Sequence, residues 1–534
     1  MIKLKHLKFI RRTIAVLIII SILTLFLNIG NTYLKNTGDF FVGLQIFPSI
    51  INLSVVFVSA SLIGLIAILL LTLFFGRVYC SSICPMGTLQ DFFSFFSSKL
   101  KSKKRKRFHY SSQRKRILKY SVLFLTIMFW IFGSLFLINA LDPYSNFGKI
   151  TTTFVQPAYI YLNNILTVFL EGFNIYYIEP MEEKTLPLYV VLTSLIILLA
   201  IAFLSIWRGR LFCNTLCPAG ALLSILGERA LFKINIKQSE CTFCGKCEWV
   251  CKSECIDSKN SFIDHGRCVS CFNCFASCTN NGFHYVFDNP FKKKKIPKEE
   301  SDISSNLDSQ KRSFLLTLGA GLLSFPVLNR KYANAEQNSK PGMVPTGSEL
   351  PVTPPGSQSI EHFTNNCIAC YLCVSKCPKN VIVPSFFDYG LQGFMQPKLD
   401  FNKSFCNYDC IDCTQVCPTG AILPQTIEKK KTIQLGVARF YVESCIVMID
   451  KTDCGACSEH CPTKAVNMVP FEGLWLPEVN PEICIGCGAC EYACPTSPYK
   501  AIYVESNAVH KKALAIADDE GPKESEDEGE EFPF

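Results

Sequence analysis

An α-helical membrane domain of four spans, followed by α+β modules built on runs of cysteine, is the fold class that three observations predict. The 534-residue chain contains four apolar stretches at or near bilayer-spanning length. Directly after two of them it places the same device, GRVYCSSICPMG at 76–87 and GRLFCNTLCPAG at 209–220. Most of its 29 cysteines then fall downstream in close runs.

Composition narrows the class. Hydrophobic residues make up 49% of the chain and the formal net charge is +9. The cysteines are too many for an enzyme using only catalytic thiols, and too dispersed for a small disulfide-stapled secreted module. Metal or cluster binding remains, provided the spacings support it.

The apolar stretches run at about Thr13–Ile29, Ile50–Phe75, Ile117–Ala140 and Leu188–Trp207, and crossing a bilayer takes ~20 residues. Lys3, Lys5, Lys8, Arg11 and Arg12 precede or open the first. Residues 99–119 carry eleven Lys or Arg and no acid, whereas 141–187 contain two Lys against five acids. The positive-inside rule therefore expects the N-terminus, the 99–119 loop and the segment after Trp207 in the cytoplasm. Both Gly-Arg devices fall on that side. Residues 155–178 are apolar too, but Asn163, Asn164, Glu171 and Asn174 would be costly at the bilayer centre. They read as an interfacial or re-entrant segment on the outer side.

The downstream cysteines form six runs. Cys241, Cys244, Cys247 and Cys251 make the first, and Cys268, Cys271, Cys274 and Cys278 the second. After a long gap come Cys367, Cys370, Cys373 and Cys377, then Cys406, Cys410, Cys413 and Cys417. A looser group, Cys445, Cys454, Cys457 and Cys461, precedes Cys484, Cys487, Cys490 and Cys494. This is the bacterial ferredoxin spacing: three close thiolates wrap three corners of a 4Fe-4S cube, and the fourth ligates the other cluster of a pair. Zinc modules use two separated Cys-x2-Cys knuckles instead. Six runs of four imply six clusters. Partner exchange in the first block assigns Cys278 to Cys241, Cys244 and Cys247, and Cys251 to Cys268, Cys271 and Cys274. Neither Cys251 nor Cys278 is followed by the usual Pro, and Cys255 is a possible substitute ligand or a spare buried thiol. The last four runs pair either in sequence or nested.

Cys80, Cys84, Cys213 and Cys217 complete the count. A spacing of four places both thiols of a pair on one helical face. Two such pairs on one side of the membrane would make a four-thiolate cofactor or redox site. A dithiol switch and a purely structural helix exit are the alternatives.

Between the two ferredoxin blocks, Lys311-Arg312-Ser313-Phe314-Leu315-Leu316 resembles a twin-arginine export motif with Lys in the first position. A short apolar run and Ala333-Asn334-Ala335 follow. The expected division is a membrane domain at 1–230, a cytoplasmic two-cluster ferredoxin domain at 231–290, and a basic linker with an internal export signal or fifth anchor at 291–335. A Pro/Gly/Ser-rich flexible tether at 336–361, a four-cluster domain at 362–505 and an acidic disordered tail at 506–534 follow.

No histidine lies in the four apolar stretches and no Cys-x-x-Cys-His occurs, which leaves no ligands for b-type or c-type haem there. No Gly-rich dinucleotide fingerprint follows a strand pattern, which argues against NAD. No nucleic-acid partner is expected. The clusters must carry the redox work.

The four spans, the two Gly-Arg-x-x-Cys-x3-Cys-Pro devices and the 241–278 block resemble NapH, the membrane ferredoxin family of periplasmic nitrate reductase systems, whose relatives serve methylamine dehydrogenase and nitrous oxide reductase. Residues from Lys311 to about Ile502 resemble NapG, the exported partner family. The two likenesses cover about 500 residues of one chain. The fusion, the Lys-Arg export variant and the missing prolines depart from both. The resemblance implies a quinol dehydrogenase and electron-transfer subunit of the inner membrane, with quinol as substrate and a periplasmic reductase or cytochrome as partner. N-terminal clusters would be cytoplasmic and C-terminal clusters periplasmic. It leaves a gap, because clusters across a ~30 Å hydrocarbon layer need a bridge, either quinone diffusion or a cluster on the four thiols. A maturation factor for a metalloenzyme, or a redox-sensing membrane protein, is the competing class.

Overall fold

The computed structural model describes residues 6–29, 32–56, 60–100, 108, 110, 114–280, 282–288 and 350–514. The expected export signal, most of the basic 99–119 loop and the acidic stretch from 515 onward lie outside the described residues.

Two helices set the frame. α1 (Leu7–Leu27) and α11 (Leu188–Arg208) are each 21 residues and apolar enough to cross a membrane. At 1.5 Å per residue such a helix is ~30 Å long. α1 stops at Asn28, whose left-handed conformation turns its N–H back onto Leu25 O. α11 starts after Pro187 and stops at Gly209.

The second and third apolar stretches are not continuous helices. Residues 50–75 divide between α3 (Ile46–Val55), which follows α2 (Thr32–Gly43), and α4 (Ala60–Phe75). Residues 117–140 divide because Gly133 takes φ +76, ending α7 (Arg114–Ile131) before the short α8 (Phe136–Leu141). A positive φ costs glycine little and breaks the helical hydrogen-bond ladder.

After α8 the chain turns back into the bundle. Asp142 caps α9 (Pro143–Ile150) by accepting the Ser145 N–H at 2.7 Å, with Pro143 in the first helical position. The helix widens by one π turn at Thr151–Val155 and continues as α10 (Gln156–Glu171). Every residue of α9 is buried, including Lys149, which donates to Asn139 O at 2.5 Å. α10 keeps a largely exposed apolar surface, and its Asn163 and Asn164 bind the carbonyls of Glu179 and Met181.

Two cysteine-rich blocks cap the helices. The first carries the antiparallel ribbon β1 (Phe232–Ile236) with β4 (Phe283–Phe287), and the shorter β2 (Ile256–Asp257) with β3 (Phe262–Ile263). The second carries β5 (Ile382–Pro384) with β6 (Pro397–Leu399), β7 (Ile433–Phe440) with β10 (Ile502–Lys512), and β8 (Val466–Phe471) with β9 (Leu474–Val479).

α1 measures the separation of the blocks. Leu7 packs on the core of the first, and Asn28 accepts Lys376 Nζ of the second at 2.6 Å. α11 runs the other way. Val190 lies in the core of the second block, and Arg210, just past its end, bonds through its backbone N–H to Lys252 O of the first. The blocks therefore sit at opposite ends of the same two helices.

Two expected boundaries move. Residues 350–361 are packed structure: Leu399 N–H bonds Val352 O, Leu423 N–H bonds Gly356 O, and Val352, Thr353 and Ser357 are buried. Prolines that look like a linker here hold an extended edge against the second block. Residues 506–512 complete β10, pairing with β7 past a register shift after Ser506, so the acidic tail begins later than 506.

Candidate iron-sulfur sites

The six runs close in a regular way. In four of them the residues on either side of the middle cysteine of the triplet take positive φ: Phe243 and Gly245, Ser270 and Phe272, Ala369 and Tyr371, Gly486 and Gly488. These left-handed steps curl the backbone around the thiols. They also turn N–H groups onto sulfur, so that Lys246, Asn273, Leu372 and Ala489 serve Cys244, Cys271, Cys370 and Cys487 through their backbone. The 406 and 454 runs, whose spacing differs, lack the pair of positive φ values.

Partner exchange occurs throughout. Cys241, Cys244 and Cys247 line one hollow together with Cys278. Cys377 joins Cys406, Cys410 and Cys413 around a second hollow, and Cys494 joins Cys445, Cys454 and Cys457 around a third. The remaining sets are grouped by mutual electrostatics: Cys251 with Cys268, Cys271 and Cys274; Cys417 with Cys367, Cys370 and Cys373; Cys461 with Cys484, Cys487 and Cys490. The four C-terminal runs are thus paired in sequence, not nested. Among the described residues no three His, Cys, Asp or Glu side chains converge on a single metal ion. Four thiols around one hollow, with N–H donors aimed at sulfur, are the donor set that the corners of a 4Fe-4S cube take.

Cys255 lies 3.4 Å from Cys251, sulfur to sulfur. The absent proline after Cys251 has a structural counterpart. Lys252 stands in its place, giving its carbonyl to the Arg210 backbone and its ammonium to Asp91 Oδ1 at 3.3 Å. Nothing in the structure accounts for Thr279 at the equivalent place after Cys278.

The two Gly-Arg devices meet inside the bundle. Gly76 (φ +74) and Gly209 (φ +65) end α4 and α11. Cys80 lies in α5 (Tyr79–Ser82) and Cys213 in α12 (Leu211–Thr215), whereas Cys84 and Cys217 precede α6 (Pro85–Leu100) and α13 (Pro218–Gly227). The two thiols of a pair thus belong to successive elements, not to one helical face. Cys217 caps its helix by accepting the Gly220 N–H at 3.3 Å, and Gly87 serves Cys84 likewise. A Cβ on Gly87 would sit 2.1 Å from Cys80 O, and one on Gly220 2.2 Å from Cys213 O. Glycine is the side chain that lets each short helix lie against its own first cysteine.

All four cysteines are buried in one core, together with Tyr79, Tyr144 and Phe147. Arg77 and Arg210, 0% and 1% exposed, neither reach the surface as headgroup anchors nor lie open to a ligand. Asp91 of α6 binds Arg210 at 2.9 Å, Arg11 at 3.4 Å and Lys252 at 3.3 Å, and these three cations hold its carboxyl far below the usual carboxylate range. On the opposite side of this core, Ser145 donates to Ile368 O at 2.6 Å, and Cys370, Leu372 and Val416 belong to the same apolar cluster as the four thiols.

Comparison with known proteins agrees with this geometry. Residues 58–104 and 190–237 both match the family described as a 4Fe-4S binding domain, and 350–422 and 452–497 match 4Fe-4S dicluster domains. The chain carries 4Fe-4S ferredoxin-type domains. An uncharacterized protein of Methanocaldococcus jannaschii is 26% identical over 43% of this chain and 79% of its own length. The electron transport protein YccM of Escherichia coli is 24% identical over 41% of this chain, and the match spans about half (54%) of YccM. The methylamine utilization ferredoxin-type protein MauM of Methylobacillus flagellatus is 26% identical over 34% of this chain and 79% of its own length. No solved structure matches.

Proposed function

We propose that this chain is a four-span inner-membrane electron-transfer protein that oxidises quinol and supplies electrons to a reductase or cytochrome in the periplasm. The observation that carries the reading is the placement of two cluster-binding blocks at opposite ends of α1 and α11. A protein that only stored or sensed electrons on one side would not need both ends. Ile196 (65% exposed) and Phe203 (63%) on α11, with Leu162, Val168 and Phe169 on α10, give the helices an outward apolar surface suited to hydrocarbon. In this reading α3 with α4, and α7 with α8, make up the second and third spans.

The 24 cysteines of the six runs hold six clusters, eight thiolates in the first block and sixteen in the second. A bound 4Fe-4S cluster accepts one electron at a time, so a two-electron quinol must be oxidised in two steps. The basic flanks favour the cytoplasm for the first block, which in this reading leaves the periplasm for the second. The likeness to NapH and NapG, and the MauM relatives, favour a periplasmic oxidoreductase as partner.

Anaerobic mixing of the purified protein with a reduced quinol analogue tests this. The visible cluster absorbance is expected to bleach. Full clusters that stay oxidised would turn the reading to metalloenzyme maturation. A reporter fused after Leu514 should behave as periplasmic and one after Asn289 as cytoplasmic.

A further inference from the structure

We propose that Cys80, Cys84, Cys213 and Cys217 jointly ligate one further iron-sulfur cluster, shared between the two Gly-Arg devices, with Arg77 as its counter-charge.

The first support is an unbalanced charge. Arg77 is fully buried, and its partners are Asn214 Oδ1 at 2.8 Å, Gly266 O at 3.0 Å, Cys213 O at 3.1 Å and Cys80 Sγ at 3.7 Å. Among the described residues none of these is a carboxylate. A buried guanidinium is very costly unless an anion sits beside it. Cys80, Cys213 and Cys217 act most on the Arg77 charge, and Cys268 of the first block also lies in its field. Arg210 differs in having Asp91.

A second support is the set of donors aimed at sulfur. The Gly220 and Gly87 N–H groups reach Cys217 and Cys84. Gln90 is fully buried: the Cys213 thiol donates to its Oε1 at 3.3 Å, and its own donor, Nε2, is left without a partner beside the sulfurs. N–H groups around thiolates are what iron-sulfur sites use to hold charge and tune potential. A dithiol switch would require a pair of these sulfurs to meet and to be reachable, and all four are buried.

Position is the third support. Along α1, Arg11 donates to Ser81 O between the first two cysteines at 2.7 Å, and Phe26 packs on Tyr144. Arg11 and Arg210 also lie within the field of Cys271 in the first block. The four thiols therefore stand between the first block and the Cys370 set, where a bridge was missing.

The inference is independent of quinol, and so is its test. Iron and acid-labile sulfide per chain, with Mössbauer spectra, should be measured on anaerobically purified full-length protein. The six runs account for 24 iron atoms (six cubes of four), and a seventh cube raises this to 28. The variant with all four cysteines changed to Ser should lose four irons and keep 24. Should that variant not fold, Arg77→Met serves: it should lower the reduction potential of one cluster beyond the six and shift the Cys268 cluster less. A wild-type content of 24, equal iron in wild type and the Ser variant, stoichiometric zinc, or an Arg77→Met protein with no shifted potential would overturn the proposal.

Discussion

Arg77 and Arg210 exchange places across the two repeated devices. Arg77 Nη2 donates to Cys213 O at 3.1 Å, and Arg210 Nη1 donates to Cys80 O at 2.5 Å. Each arginine follows the glycine that ends its own helix and closes the cysteine loop of the other. The repeat is therefore a pair of interlocked halves, and neither half can be removed without leaving a buried cation from the other. This answers why the residue after the glycine is Arg in both copies. Lysine, a point donor, lacks the fork that serves a carbonyl and a second acceptor together.

Replacing Asp91 with Asn should be strongly destabilising. Among the described residues Asp91 is the carboxylate paired with Arg210, and it also gathers Arg11 and Lys252, tying α1, α6, α11 and the first block. Breaking a buried ion pair from one side costs ~3–5 kcal/mol. Thermal unfolding in detergent should show a marked drop for Asp91→Asn. The exposed pair Arg439–Glu505 provides the control, because surface pairs are worth ~0–1 kcal/mol.

Gly148→Val should loosen the second block from the helices. A Cβ at Gly148 would lie 2.1 Å from Cys370 O and 2.9 Å from Phe26 Cζ, and the backbone carbonyl cannot step aside cheaply. Hydrogen exchange at 366–372 should quicken while that of β1 and β4 stays as in wild type. Unchanged exchange at 366–372 would show that the contact is more yielding than it looks.

Which parts of this arrangement were legible in the chain depends on whether a short-range spacing expresses them. The triplet runs and their exchanged fourth cysteines follow from local geometry, and the structure groups the thiols of 241–278 as the spacing expects. The pairing of the later runs is a matter of tertiary contact, and no spacing encodes it. The crossing of Arg77 and Arg210 is equally silent, since each makes its contact 130 or more positions away. Hydropathy misleads where polar and apolar requirements mix. The 117–140 stretch reads as one helix because a single Gly133 weighs little in a window average, yet its positive φ ends the helix. Residues 350–357 read as a tether because their prolines and glycine match a flexible composition, although their backbone groups bond to Leu399 and Leu423.

His510 should make the β7–β10 ribbon acid-sensitive. Its Nε2 meets Thr353 Oγ1 at 2.8 Å, its Nδ1 is buried without a partner, and burial lowers its pKa to about 4. The unfolded value is ~6.5. The unfolded chain therefore binds the proton first. The stabilisation is complete above ~6.5 and is lost as pH falls toward the folded value. Between pH 7.5 and 5.5 the opening free energy of the ribbon should fall by ~1 kcal/mol. Amide exchange corrected for intrinsic rates should show this in wild type and a clearly smaller fall in His510→Gln.

Cys255→Ala should leave iron content unchanged, whereas Cys251→Ala should lose a cluster from the first block. The reason lies in a correspondence between two runs. In Cys461-Pro-Thr-Lys-Ala465, the Ala465 N–H donates to Cys461 Sγ at 3.2 Å and its methyl is buried. In Cys251-Lys-Ser-Glu-Cys255, the Cys255 backbone N–H serves Cys251 in the same way. Cys255 therefore occupies the place of an alanine, four residues past the ligand. Its sulfur fills the pocket a methyl would fill, next to Cys251 and Cys268. An alanine there restores the arrangement of the other run, so the loss is confined to packing. Iron per chain, read with every other cysteine intact, separates the two variants. A cluster lost in Cys255→Ala and kept in Cys251→Ala would make Cys255 the ligand and Cys251 the spare thiol.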